Sequence, residues 1–492
     1  MMKKVASEPT PDDLHRLAER IDRATDDGDA SGLALLDEIC ARHISRGGAQ
    51  SSLLWYYRAN IQSALRAKED VSNWNWRHPQ REREILFLRR AKNDVGFDHL
   101  DQISRAQITT NLANGLSFLG RSIDALGLYD SALNETPGFA MALGNRGQAR
   151  MYFAKTLSDH GHANIGLLDA YDDLVAAAGP GAIWDGPYVG VREQFLAMAE
   201  HISALIEIES VRNVVRKNYE LGRSKVEAEY RQWALAEQLF LNPLNVFGRH
   251  TVAATDRFGL PSHRSPVGNP PHFISWFNQL KQEFCMARLL LFEAERQKGQ
   301  HFSDRELMLV DTLEFSVFGI RHEKMRLAFR VAYGLLDKVA GFLNAYFHLG
   351  EKPARVNLRN IWLTKDGRSV RPEFAQKVNW PLRGLYWLAF DLLGSESLDT
   401  DVIAPEAAEL SQLRNALEHR CLVFKEFDTT LSPGILETCS IEKFRGHTYM
   451  MVRLARASIM YLSLAVGIEE EARSALDTSF AFPMELPTYN GH

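Results

Sequence analysis

Along most of this 492-residue chain the apolar positions recur every three to four residues, the period of helices that turn one face to a core. DDLHRLAERIDRAT near the start and EFCMARLLLFEAERQ near the middle are clear cases. The alternation expected of half-buried strands is nearly absent. Its best candidate is NIWLTKDGRSVRP, where Asp366-Gly367 would turn a small hairpin. The pattern predicts an all-α protein.

A break in the pattern divides the chain. Residues 242–272 are rich in Pro, Gly, Asn and Ser and lack helical period, which reads as a connection between two domains. Residues 1–241 form the first domain. Residues 273–476 form the second, with helices expected over about 275–298, 304–348, 381–394 with 405–427, and 442–467, enough for a bundle. Residues 477–492 are expected to be a poorly ordered tail.

The first domain carries a repeat-like pattern over 109–153, which includes NLANGLSFLGRSIDALGLYDSALNETPGF. Leu112 and Ala113 suit a first helix, Gly120 a turn, and Ala125, Tyr129, Ala132 and Leu133 a second helix that Pro137 closes. The stretch resembles the tetratricopeptide repeat, in which small residues let paired helices approach closely. Asn145-Arg146-Gly147 suits the next first helix, LLWYYRANIQSALRAKED an earlier one, and Gly28 and Gly32 an earlier turn. Three or more stacked units are expected over roughly residues 10–240, because a lone repeat cannot bury its apolar face.

Composition narrows the function classes. Hydrophobic residues are 45% and charged residues 24% of the chain, as in ordinary globular proteins. A formal net charge of −5 argues against bulk electrostatic coating of nucleic acid but leaves room for a local basic groove. The four cysteines, Cys40, Cys285, Cys421 and Cys439, stand far apart, so neither a disulfide framework nor a structural zinc site is expected. MMKKVASEPTPDD has no apolar stretch behind its lysines, and no run approaches the roughly 20 apolar residues of a membrane span. A cytoplasmic protein without membrane contact is the expectation. There is no Gly-rich phosphate loop, no HExxH and no carboxylate constellation, so no nucleotide cofactor or metal is expected.

Candidate chemistry lies in Ser411-Gln412-Leu413-Arg414-Asn415-Ala416-Leu417-Glu418-His419-Arg420. An Arg followed by a His four to six residues on occurs three times: Arg257 to His263, Arg296 to His301, and Arg414 to His419. The first lies among Gly259 and Pro261, and the second crosses a helix end at Gly299. Only the third falls within a helical pattern, after a start at Ala404-Pro405-Glu406, and carries a polar residue, Asn415, directly after the Arg. That segment resembles the signature of the HEPN superfamily. The order of repeats followed by bundle resembles one bacterial subgroup, as does the run from Tyr230-Arg231-Gln232-Trp233 through Leu239-Phe240-Leu241-Asn242-Pro243-Leu244-Asn245.

The resemblance implies a fold and an activity: a HEPN-type helical bundle that cleaves RNA without a metal. The 2′-hydroxyl would attack the adjacent phosphate and leave 2′,3′-cyclic phosphate and 5′-hydroxyl ends. His419 would move the proton, Arg414 would hold the phosphate and its developing charge, and Asn415 would orient either. Glu418 and Arg420 would support them, Glu418 by pairing with Arg414 or Arg420. On a helix, five residues turn through about 500°, so Arg414 and His419 point about 140° apart and lie about 7.5 Å apart along the axis. One copy makes a poor cluster, and the resemblance implies a homodimer that pools two copies in one groove. It also implies a toxin or anti-phage role, with a protein trigger or inhibitor docking on the repeats.

Plainer readings of the same residues stand beside this. Arg414 and Glu418 are spaced for an ordinary helix ion pair, and a non-catalytic scaffold that binds RNA or protein would use the same folds. A partner nucleotidyltransferase that silences the protein is a third reading, though no tyrosine marks the target. Arg77, Arg81, Arg83, Arg89, Arg90 and Lys92 beside Trp74 and Trp76 would suit RNA, but Glu82 and Glu84 favour a solvated helix face. Arg321-His322 and Arg445-Gly446-His447 are expected at helix starts beside the groove, and 380–390 as aromatic core.

Overall fold

Thr10 opens the first helix by accepting from Asp13 N–H at 3.3 Å while its own N–H donates to the Asp13 carboxylate at 3.0 Å, a reciprocal cap. From there the computed structural model describes residues 10–45, 48, 50–66, 74–186, 188–264, 270–311, 313–393, 407–427, 437–476 and 484–488. The protein is all-α, with eighteen helices and three short strands among the described residues. Ala404-Pro405-Glu406 and most of the 477–492 tail lie outside them, and 484–488 is exposed coil.

The N-terminal half is a succession of helices that pack on their neighbours in sequence: α1 (Pro11–Asp26), α2 (Ala30–Ile44), α3 (Ser51–Arg66), α4 (Pro79–Asn93), α5 (Gln102–Phe118), α6 (Ser122–Glu135), α7 (Ala140–Ala154), α8 (His160–Ala178) and α9 (Val191–Leu205). α10 (Ile208–Val215) and α11 (Lys225–Ala236) complete it. α5 and α6 form the helix–turn–helix expected from the sequence. Leu112, Ala113, Ala125, Tyr129, Ala132 and Leu133 are all buried. Gly120 makes the turn at φ +87°, and a Cβ there would also lie 2.2 Å from the carbonyl oxygen of Trp380. Two constraints therefore select glycine, the left-handed backbone and contact with the other half of the molecule.

The C-terminal half is built on α13 (His272–Arg296), α14 (Ile320–Tyr346), α16 (Trp380–Leu393), α17 (Ala407–His419) and α18 (Ile441–Leu476), with the single turn α15 (Pro372–Ala375) before α16. α13 packs on α14, and α18 on α14, α16 and α13. The aromatic run of α16 is core, as expected, with Tyr386 and Trp387 fully buried. α18 has the length and apolar composition of a membrane span, contrary to the expectation that no segment would. However, 83% of its most apolar 18-residue window is buried inside the protein, so it serves as a core helix.

Three expectations of secondary structure are corrected. The helix foreseen over 304–348 begins only at Ile320, because Gly319 takes φ +128° and the Asp304 carboxylate caps the Ile320 N–H at 3.0 Å. The helix foreseen over 405–427 stops at His419, and the β-prone Leu422–Lys425 forms a strand instead. That strand, β2, pairs antiparallel with β1 (Ser316–Val317) and parallel with β3 (Glu437–Ser440), a sheet no alternation had signalled. The hairpin at Asp366-Gly367 exists as a turn, with Gly367 at φ +70°, but only Leu363 and Val370 bridge across it.

The connection begins inside the molecule, over residues 242–254. They contain a one-turn helix, α12 (Leu244–Phe247), whose four residues are buried with Asn242. One apolar core draws residues from both halves, from Ala59 to Val466. Arginines of the bundle close the joint by donating to backbone carbonyls of the other half. Arg288 of α13 reaches Leu239 O at 2.8 Å, and Arg456 of α18 reaches Phe240 O at 2.6 Å and Asn242 O at 3.3 Å. Arg383 of α16 holds Asn75 O at 2.8 Å and also Phe118 O, its guanidinium 4.2 Å from the ring centres of both Trp74 and Trp380, which meet edge to face. Asp391 of α16, buried, receives both Arg89 (2.6 and 2.8 Å) and Arg121.

The basic stretch of α4 is therefore part of this joint, which corrects its reading as a solvated face. Arg77 is bidentate to the buried Glu82 at 2.6 and 2.7 Å, Arg81 lies over Phe118, and Trp76 packs on Tyr386 and Phe374. Of the six basic residues only Arg83 is exposed. The run from Tyr230 to Asn245 meets the bundle too. Tyr230 Oη accepts from Arg288 Nε at 2.7 Å, and Asn245 accepts from Phe240 N–H at 3.1 Å while donating to Leu235 O.

Candidate functional site

α17 presents Leu410, Leu413 and Ala416 to the bundle, where all three are buried against α14 and α16. That apolar stripe fixes the rotation of the helix. Arg414 comes to lie at the stripe's edge, half-buried, with its guanidinium 5.5 Å from the centre of the Tyr333 ring of α14. Asn415 is exposed and accepts a hydrogen bond from Arg414 Nη1 at 3.2 Å. His419 is the last residue of the helix and is exposed. Arg414 and Asn415 are thus brought together, and His419 lies one turn beyond Asn415 on the same face of the helix, rotated away from Arg414.

Glu418 corrects one expectation. It pairs with Arg330 of α14, bidentate at 3.0 and 3.2 Å, and not with Arg414 or Arg420. The reason is reach: Arg414 is drawn over Tyr333, while Arg330 faces Glu418 across the groove between the two helices. The hydrogen bond from Arg330 holds the Glu418 carboxyl below its usual range, with lesser help from Arg414 and His419. Glu418 is therefore a fixed negative charge near neutral pH, not a proton donor. Arg420 pairs with Glu437 at the start of β3.

The face opposite α17 comes from α14. Arg326, Arg330, Tyr333 and Asp337 recur at intervals of four, three and four, one stripe of the helix. Arg326 donates to Leu422 O at 2.7 Å and covers the Phe424 ring at 4.2 Å, which locks β2 to α14 just beyond His419. Burial pushes the Asp337 carboxyl up, opposed by the Leu358 N–H bond and by Arg414. Sequence reasoning missed these four residues, yet a signal existed: polar side chains at helical spacing within the otherwise mostly apolar RLAFRVAYGLLDKVA.

The secondary candidates disperse. Arg321 and His322 do open α14, and His322 meets the edge of Phe424. Arg445 and His447 begin α18, but Arg445 holds Glu295 at 2.7 and 2.9 Å and His447 contacts Glu409 at 3.0 Å, near the opposite end of α17 from His419. Arg257 to His263 is coil, and Arg296 to His301 crosses a helix end at Gly299, φ +69°.

Fold and site together define an all-helical protein with a C-terminal bundle that displays an Arg–Asn pair and a His on one helix. Residues 265–469, which span this bundle, match the family model described as LA2681-like HEPN. The match supports membership of that segment in the HEPN superfamily, and Arg414, Asn415 and His419 all fall within it. No curated protein and no solved structure matches the chain.

Proposed function

We propose that the bundle is an endoribonuclease that cleaves RNA without a metal ion. The observation that carries the reading is His419 exposed at the end of α17, five residues from a half-buried Arg414, inside the HEPN-matching segment. The reaction uses two imidazoles. One imidazole takes the proton of the 2′-hydroxyl as that oxygen attacks phosphorus, the bond to the 5′-oxygen breaks, and that oxygen takes a proton from an imidazolium. The products are a 2′,3′-cyclic phosphate and a 5′-hydroxyl. Arg414 and Arg330 flank the groove in which the phosphate would gain charge.

Two proton-transfer groups are needed and each chain offers one His419, so the working form is a homodimer. The candidate surface for the second copy is the exposed apolar segment leading into β1, whose Phe315 meets Phe427 just after β2. Met308, Val310, Leu313 and Phe315 are 91%, 75%, 83% and 59% exposed there, and Phe427 is exposed beside them, an apolar patch that a monomer rarely leaves open. In the cell, RNA cleavage would make the protein a toxin or anti-phage effector, its N-terminal helices docking a trigger or inhibitor protein.

The test compares wild type with His419→Ala on total RNA and on a short labelled RNA, with EDTA throughout. Cleavage by wild type alone, leaving 2′,3′-cyclic ends, is expected. Equal cleavage by both proteins removes His419 from the mechanism. If neither cuts and neither is toxic on expression, the bundle is a scaffold. Met308→Glu with Val310→Glu is expected to convert a dimer to monomer in sedimentation and to abolish cleavage.

A further inference from the structure

The connection from α14 to α15 concentrates positive charge in an acidic protein. Residues 351–371 contain Lys352, Arg355, Arg359, Lys365, Arg368 and Arg371 against Glu351 and Asp366, a local charge of +4 (six basic minus two acidic) in a chain of −5. Arg355, Arg359, Lys365 and Arg368 are exposed. Arg355, Arg359 and Lys365, with Arg371 and the acidic Glu351 and Asp366, border an open cleft of about 750 Å³ that Asn357, Asn360 and Thr364 also line.

The segment is not a loose loop. Leu358, Ile361 and Trp362 are buried to within 1% and anchor it in the core. Trp362 Nε1 donates to Leu358 O at 2.8 Å, and Arg371 N–H to Trp362 O at 2.9 Å. Asn360 braces the turn, accepting from Asn357 N–H at 3.1 Å and donating to Arg355 O at 2.7 Å. The cations are therefore held on a fixed backbone, which lowers the ordering cost of binding.

The position of the segment gives it a role. Asp337 of α14 accepts the Leu358 N–H at 3.2 Å, and Tyr333, one turn earlier on the same helix, lies beneath Arg414. Both Arg414 and Arg359 act electrostatically on Tyr333. The basic segment thus meets α14 at Asp337, one turn from the Tyr333 ring over which Arg414 lies. We infer that residues 351–371 bind the phosphate backbone of single-stranded RNA and hold the strand that enters the Arg414–His419 groove. This rests on the ribonuclease reading for its substrate, and its own content is the location of the grip. The only aromatic side chain in 351–371, Trp362, is buried. The grip therefore acts on phosphates and is tolerant of sequence.

The test measures binding without cleavage. Full-length His419→Ala protein is titrated against a fluorescein-labelled single-stranded RNA by anisotropy at several salt concentrations, alone and with Arg355→Glu, Arg359→Glu and Lys365→Glu together. The triple change is expected to weaken binding at least tenfold. It should also reduce the slope of log K against log salt by about 2, since each phosphate contact on a single strand contributes roughly 0.7. The glutamine versions of the same three changes, with melting curves superimposable on the parent, are expected to give the same direction at smaller size. Unchanged affinity and slope overturn the inference. So does an absence of RNA binding by the parent, or cleft-dependent binding confined to an acidic peptide or duplex DNA. Cleft-dependent RNA binding by a wild type that never cleaves leaves the inference standing and removes the nuclease reading.

Discussion

Replacing Asp391 by Asn removes one negative charge where the two halves of the molecule meet. The carboxylate is buried and is engaged by Arg89 of α4, at 2.6 and 2.8 Å, and by Arg121 at the turn between α5 and α6. Arg121 keeps Asp124, at 2.8 and 2.9 Å, whereas Arg89 faces a neutral amide. Breaking a buried pair from one side costs about 3–5 kcal/mol, because the remaining charge stays out of water. An unfolding entropy of roughly 2.1 cal/mol/K per residue, taken over the whole chain, makes 1 kcal/mol worth about 1 °C, so Tm should fall by about 3–5 °C. The pH dependence has a definite sign. Burial alone would raise the Asp391 pKa, but Arg89 and Arg121 override it and hold the carboxyl below its usual value. The stabilisation is therefore complete above the unfolded-state pKa of about 3.9 and is lost as pH falls through the lower folded value. Melting curves followed by calorimetry at pH 7 and at pH values descending through 4 are the assay. The gap between wild type and variant should be widest at neutral pH and should close in acid. A gap below about 1 °C at pH 7, or one that widens on acidification, would refute the reasoning.

Further outcomes follow from the same geometry. Gly384→Ala would place a Cβ 2.4 Å from the Gly120 carbonyl oxygen. Backbone must yield there, so a loss of at least 1–3 kcal/mol in thermal stability is expected, with new proteolytic cleavage near the α5–α6 turn. Glu418→Gln breaks an exposed pair, so Tm should move by less than about 1 °C. Removing that negative charge from the groove should tighten RNA binding by anisotropy and steepen its salt dependence. Trp362→Ala empties a fully buried site and should cost about 3–5 kcal/mol, with RNA affinity falling alongside as the basic segment loses its anchor.

Much of the site was legible because its signals are local. The Arg414, Asn415 and His419 spacing, the helical context that separated it from the other two Arg–His pairs, and the Gly120 turn each depend on residues within one or two helical turns. The sheet was not legible: β1, β2 and β3 have two, four and four residues, too few for alternation to rise above a helical background. Partner choice was not legible either. Glu418 at helix spacing from Arg414 predicts a pair, and only the packing of α17 on α14 gives it to Arg330. Arg89 of α4, set beside acidic residues, read as solvated for the same reason, since its partner Asp391 lies some 300 positions away. Pattern finds what a segment can do alone and is silent on what another segment supplies.

The arginine contacts of Arg288, Arg383 and Arg456 bear on how this protein can be cut. The boundaries of the HEPN match, 265–469, retain all three cations and discard the carbonyls of residues 75, 118, 239, 240 and 242 that receive them. A fragment expressed to those limits would carry three stranded guanidinium groups set in an apolar wall, with the aromatic face of α16 newly wetted. Such a piece should precipitate or refold around itself, and its failure to cut RNA would say nothing about the intact protein. The stretch that evolution has kept recognisable is smaller than the stretch that must be synthesised together for any of it to stand.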